Sequence, residues 1–291
     1  MTEWVARENF DGLALAAEAK LGRVGTRANF FAYLKEVWQR RSFAATFAWF
    51  QMNAQTARSS LGVAWIVIVP SLQILIYGLI FGFVLGSNKP DNYIPYLIVG
   101  VAFFQTLSNG ITDGAQAIVS NQALVNSLDF PRALLPAAVV VANFLESLPI
   151  LLLTLVALPF LGQPVTVEWL LLIPIFAIIV MFGAGLTFIS ARMAVFWPDF
   201  KLLLPFFSRV FFYISGIFWS INKLGEGNQW LVTILWANPM QLLISLARSV
   251  TVGGYDATSL EWILATAWAF AVFIFGLIFF WLAEEKYAQN G

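Results

Sequence analysis

Six stretches of this chain, 63–86, 96–120, 134–161, 169–191, 202–221 and 263–283, are each apolar enough and long enough to cross a lipid bilayer as a helix. A hydrocarbon core takes roughly 20 consecutive apolar residues in helical form, because inside it every backbone N–H and C=O must be satisfied within the segment. The chain is 60% hydrophobic and 11% charged over 291 residues. A soluble domain of that length has no interior for so much apolar surface. The pattern predicts an all-α integral membrane protein with six transmembrane helices.

The cations orient it. Twelve of sixteen fall on connections belonging to one side: Arg7, Lys20, Arg23, Arg27, Lys35, Arg40, Arg41 and Arg58 before the first run, then Arg132, Arg192, Lys201 and Lys286. Lys89, Lys223 and Arg248 fall on the other side, and Arg209 lies inside the fifth run. The positive-inside bias puts both termini in the cytoplasm, and an even number of spans agrees. Residues 1–20 hold no continuous apolar core, so no cleavable signal peptide is expected.

The chain divides into four parts. Residues 1–28 read as a polar cytoplasmic tail. Over 29–58, Phe30, Tyr33, Leu34, Val37 and Trp38, then Phe43, Phe47 and Phe50, recur at helical spacing. That predicts an amphipathic helix at the cytoplasmic headgroups, bent near Arg41. Residues 59–285 form the six-helix domain, and 286–291 a short cytoplasmic end. In the first span Gly78, Gly82 and Gly86 make a smooth stripe for close helix approach, within the chain or to a second copy. Asp129, with Pro131 behind it, is placed to cap the third span. The outer connection 222–262 is far longer than an ordinary loop. Its apolar stretches 230–236 and 240–252 are too short to span, and Asn238-Pro239 divides them. Two half-helices that enter the outer leaflet and return fit this pattern, as pathway lining or as a surface cap.

Much chemistry is excluded. There is no histidine and no cysteine, so the commonest general base and metal ligand, disulfides and thiolates are absent. No phosphate-binding loop or serine nucleophile elbow occurs. The formal net charge is zero, which gives nucleic acid no electrostatic footing. Asp113 and Glu146 are the acids within the spans, Glu146 about 18 Å along the third. A charge there costs a few kcal/mol unless it faces the bundle, is protonated, or pairs with a cation such as Arg209. It reads either as pathway lining or as half of a structural pair; two acids without histidine make a thin proton wire, which favours the pair. Among outer-side aromatics, Tyr96, Phe104, Tyr213, Trp219, Trp230 and Trp236 are either an interfacial belt or rings on which sugars stack.

Three segments carry a resemblance. ARSSLGVAWIVIVPSLQILIYGLIFG, with Arg58, Leu61, Gly62, Trp65, Pro70 and Tyr77, SNQALVNSLDFPRALLP and WANPMQLLISLAR together resemble the type-two export permeases of ATP-binding-cassette transporters. Those permeases handle O-antigen, teichoic acid and related lipid-linked polysaccharides. The resemblance implies six helices preceded by an interfacial helix, and two re-entrant half-helices before the last. It implies a permease that is not itself an enzyme, paired with a second copy of itself and two copies of a separate ATPase that holds ATP and Mg. Asn121, Leu124, Leu128, Phe130, Pro131 and Arg132 correspond to the segment that couples to that ATPase. Arg40, Arg41 and Arg58 are candidates to meet the pyrophosphate of an arriving lipid, since arginine forks onto phosphate oxygens; positive-inside bias alone explains them equally well. Two departures, Met193 after Arg192 and Gly216 after Ser215, bear on the substrate subgroup. An exporter of a small hydrophobic compound on the same fold, an ion-coupled secondary transporter and a membrane transferase are the other readings.

Overall fold

The computed structural model describes residues 29–56, 60–86, 89–220 and 229–287. The tail 1–28, Arg58 and Lys223 lie outside them. Among the described residues the regular structure is helical throughout. In chain order the helices are α1 Phe30–Gln39, α2 Arg41–Thr56, α3 Trp65–Val84, α4 Tyr93–Gly114, α5 Gln122–Ser127, α6 Leu134–Phe160, α7 Leu172–Phe196, α8 Phe200–Ile214, α9 Gln229–Trp236, α10 Pro239–Thr251 and α11 Ser259–Trp281.

Among the described residues, five helices are long and apolar enough to cross a membrane: Trp65–Val84, Tyr93–Gly114, Leu134–Phe160, Val167–Phe196 and Ser259–Trp281. The fifth apolar run behaves differently from its expected single span. Only Phe200–Ile214 is helical, 15 residues, about 22 Å of rise. Gly216 ends it, with a left-handed φ of +59° that glycine adopts without steric cost. Ser215, Ile217 and Phe218 then fold inward and are buried. Helix α8 still runs alongside most of α4. Leu204 clusters with Ala115 near one end of α4, Phe212 meets Phe104 at 5.0 Å, and the Gly216 carbonyl accepts from the Tyr96 hydroxyl at 2.7 Å near the other end.

The first and last described segments meet. The Tyr33 hydroxyl in α1 donates to Glu284 Oε2 at 2.7 Å, just beyond α11, and the Arg132 N–H donates to Glu284 Oε1 at 2.8 Å. So α1, the connection between α4 and α6, and the C-terminal end share one end of the bundle. This end bears most of the cations, and it is the end called inner below.

Helix α4 is the centre of the bundle, packed by α3, α6, α7, α8 and α10. Gly78 and Gly82 of α3 lie against Ile94, Leu97 and Tyr93, so that part of the glycine stripe serves a contact within the chain. The closest crossing is α7 on α11. A Cβ on Gly185 would fall 2.5 Å from the Val272 carbonyl oxygen; only glycine admits this approach. Helices α1 and α2 break at Arg40, near the expected bend. Ala44 and Ala48 are buried, and α2 packs on α6. Phe31, Trp38, Trp49 and Phe50 stay exposed, an apolar surface suited to headgroup depth. Asp129 does not cap α6. The N-cap position is Ala133, without a side-chain cap. The chain turns tightly there, Leu134 N–H donating to the Pro131 carbonyl at 3.0 Å, while the Ala133 N–H donates to the Tyr33 hydroxyl at 3.0 Å.

Candidate functional site

Helix α4 has apolar positions buried and polar positions open. Leu97, Val101, Phe103, Phe104 and Leu107 are in the core. Gln105, Ser108, Asn109, Thr112 and Asp113 are only partly covered. They form a polar seam through the middle and inner half of an otherwise apolar bundle. The Gln105 amide donates to Asn109 Oδ1 at 2.7 Å, one turn away. Glu146 and Ser147 of α6 and Trp65 and Pro70 of α3 close around them, leaving a cavity of about 150 Å³. Such groups at membrane depth face lipid only at a cost of several kcal/mol, so this face is built to meet water, polar substrate or another chain.

Arg209 does not pair with these acids. It lies exposed on α8 among Phe206, Phe207, Val210 and Tyr213, and no ion pair joins it to Asp113 or Glu146. Helix α8 turns Leu204 inward and leaves Arg209 on its open face. Helix α3 meets the outer end of α8 and the turn beyond it through rings, Tyr77 against Phe212 at 5.3 Å and Phe81 stacked on Phe218 at 4.0 Å. The seam lies inward of that contact.

The aromatic candidates divide. Phe104 is buried in the core. Tyr96 is buried too, its hydroxyl donating to the carbonyls of Gly216 and Trp219 at 2.7 and 3.0 Å. Trp219 is half-buried and donates to the Tyr213 carbonyl at 3.1 Å. Tyr213 and Trp230 are exposed, and Trp236 borders an outer pocket.

The inner connection has an anchored root and a free tip. Phe130 is buried, tilted against Phe43 of α2 at 5.7 Å. Pro131 and Arg132 are buried with it, and the Arg132 guanidinium sits 3.8 Å from Glu284. Asn121 and Leu124 are half-covered, while Asn126, Ser127, Leu128 and Asp129 are exposed. Arg40 pairs with Glu36 at 2.9 Å and donates to the Asp129 carbonyl at 3.3 Å. Arg41 donates to the Trp38 carbonyl at 3.1 Å and covers its ring. Both arginines remain exposed and so can also reach a ligand.

Tyr33 and Glu284 give no signal in sequence, because a tyrosine in an amphipathic helix and an acid after a last span each look ordinary. Burial lifts the Glu284 carboxyl above its ordinary 4.5, opposed by the Tyr33 hydroxyl, the Arg132 N–H and the Arg132 charge. Burial, with Glu284 beside it, holds the Tyr33 hydroxyl well above its ordinary value. Arg248 is also more than an outer cation. It is 2% exposed, lies 3.4 Å over the Tyr96 ring, and donates to the carbonyls of Tyr96, Gly216 and Ile217 at 3.2, 3.0 and 3.5 Å. It ties α10 to the start of α4 and to the turn that ends α8.

A multi-pass helical protein with a polar seam between its spans and a connection anchored at the cation-rich end has the architecture of a transporter's membrane half. The ABC-2 type transporter family matches it over residues 44–252, more than half of the chain, and the chain belongs to that permease family. It is 26% identical over 238 residues to the O-antigen export system permease protein RfbA of Klebsiella pneumoniae, spanning 79% of this chain and 88% of that protein. Its likeness to the RfbA protein of Myxococcus xanthus is 26% over 220 residues, 75% of this chain and 83% of that one. The polysialic acid transport protein KpsM of Escherichia coli is 24% identical over 243 residues, 81% of this chain and 91% of that protein.

Proposed function

We propose that this chain is the membrane subunit of an ATP-driven exporter that moves a lipid-linked polysaccharide from the cytoplasm across the inner membrane. Two copies pair, each with a separate ATPase that supplies ATP and Mg. The observation that carries the reading is the seam of Gln105, Ser108, Asn109, Thr112 and Asp113 with Glu146 across from it. Hydroxyl-rich sugar needs polar partners at a depth where lipid offers none, and a hydrophobic cargo does not. The relatives named for O-antigen export and polysialic acid transport support the substrate class.

The exposed faces of α3 and α8 suit the second copy. Arg209 on α8 would otherwise meet lipid, which favours a chain or water against it. Both termini lie on the cytoplasmic side in this reading, since the described segments nearest them, at Tyr33 and Glu284, meet at the cation-rich end. The tip Asn126–Asp129 takes the push of the ATPase, and its buried root at Phe130 and Arg132 passes it to α4 and α6 as rigid bodies. Arg40 and Arg41, with Arg58, meet the pyrophosphate on arrival.

The test is ATPase activity of the complex in nanodiscs with and without a lipid-linked oligosaccharide. Stimulation by the glycolipid, and none by the bare lipid carrier, is the expected result. Equal stimulation by both, or by a small hydrophobic compound alone, overturns the substrate class. Uphill transport by the chain without any ATPase overturns the proposal entirely.

A further inference from the structure

At the outer end, away from the seam, α4, α10 and the start of α11 enclose a pocket of about 470 Å³, within the range that holds small organic ligands. One wall is aromatic. Tyr96 and Tyr255 lie 5.2 Å apart between ring centres, and Trp236 adds a third ring. Tyr255 is held in place by its hydroxyl, which donates to the Asp91 carbonyl at 2.9 Å. The rim is acidic, with Asp91, Asp256 and Glu261.

Two lining residues carry buried oxygens without a hydrogen-bond partner among the described residues, Oε1 of Gln241 and Oε2 of Glu261. Gln241 is only 4% exposed. Buried acceptors left unmatched are costly, and both belong to side chains that line the cavity. The cation lining the pocket, Arg248, donates to three backbone carbonyls and keeps its charge, and the acids at the rim outnumber it.

We infer that this pocket is a saccharide-binding site on the outer face, selective for one or two neutral or amino-substituted sugar rings. A pyranose has an apolar C–H face that suits Tyr255 and Trp236. Its hydroxyls are donors, which suits Gln241 and Glu261, and O–H groups on carboxylates make strong bonds. The acidic rim repels uronic and sialic acids and favours an ammonium. The inference rests on the chain handling saccharide and narrows which kind, at the exit rather than along the seam.

The test uses the full chain in lipid nanodiscs, free of sugar-based detergents, with ligand-observed NMR as readout. Probes are maltose, a chitosan disaccharide bearing free amines, and digalacturonate. The first two bind and digalacturonate does not. Gln241→Leu and Tyr255→Ala each weaken binding about tenfold, the loss of one stacking or hydrogen-bonding contact. Asp256→Lys alters an exposed position and leaves the core alone; it weakens the amine-bearing probe and admits digalacturonate. No binding of any probe, binding untouched by all three variants, or digalacturonate preferred by the unaltered chain each overturns the site. If glycolipid still stimulates the ATPase complex while no probe binds, only this inference falls; if stimulation also fails, the proposed function falls with it.

Discussion

Single side chains at the two ends of the bundle hold separate pieces of chain together. The Tyr33 hydroxyl is both donor to Glu284 and acceptor from the Ala133 N–H. Tyr33→Phe leaves both partners buried and short of a bond, a cost of about 1–3 kcal/mol. A lower Tm of the purified protein is the expected readout. Glu284 adds a pH dependence whose sign follows from its raised pKa. The folded state holds this proton more tightly than the unfolded one, so the carboxyl's contribution is full below its ordinary 4.5 and is lost as pH rises through the raised value. Glu284→Gln does not titrate. The Tm of the wild type relative to this variant therefore falls as pH is raised, and a constant difference would refute the assignment. At the outer end, Arg248→Lys cannot reproduce a fork onto three carbonyls. It is expected to destabilise by about 2 kcal/mol and to loosen the turn at Gly216, seen as faster amide exchange there.

Among helices, backbone approach decides the packing. Gly185 and Gly276 let α7 and α11 touch backbone to backbone, and Arg192 extends that contact inward, donating to the Phe279 carbonyl with its guanidinium over the Phe279 ring. Gly185→Val forces the helices apart and is expected to cost about 1–3 kcal/mol, read as a lower Tm, whereas valine at Gly86, with open space around it, meets no neighbour and differs only through its backbone. Spans over 134–161 and 263–283 were legible in sequence, because an apolar run of that length has one solution in a bilayer. The end of α8 was not. A run such as 202–221 carries no sign that Gly216 adopts a left-handed φ, since the reason sits in Tyr96 and Arg248, more than thirty residues away on either side. The two short outer helices were visible through Asn238-Pro239, where the Asn238 side chain accepts from the Met240 N–H at 3.0 Å and proline occupies the first turn.

Across the molecule, the seam and the inner connection make predictions that composition helps to test. With no native cysteine, one introduced thiol reports alone. Asn109→Cys on the seam is expected to react with a water-soluble maleimide, and Leu152→Cys on the exposed apolar face of α6 to resist it; equal labelling would remove the seam as a polar path. Leu128 is 53% exposed at the tip of the inner connection, so Leu128→Glu leaves the fold intact. It is expected to abolish stimulation of the partner ATPase with the Tm unchanged. Normal stimulation would place the contact elsewhere.

Length and hydropathy alone determined that this chain is a helical membrane protein, because a bilayer punishes unsatisfied backbone wherever it occurs. The resemblance of three segments to known permeases pointed to the family. What the tertiary structure decided was partnership: that Arg209 is not the counter-ion of Glu146, that Phe130 and Arg132 are a buried root, and that Tyr33 reaches Glu284 across 251 positions. Those outcomes depend on which helix faces meet, and periodicity along a sequence describes each face without naming its neighbour.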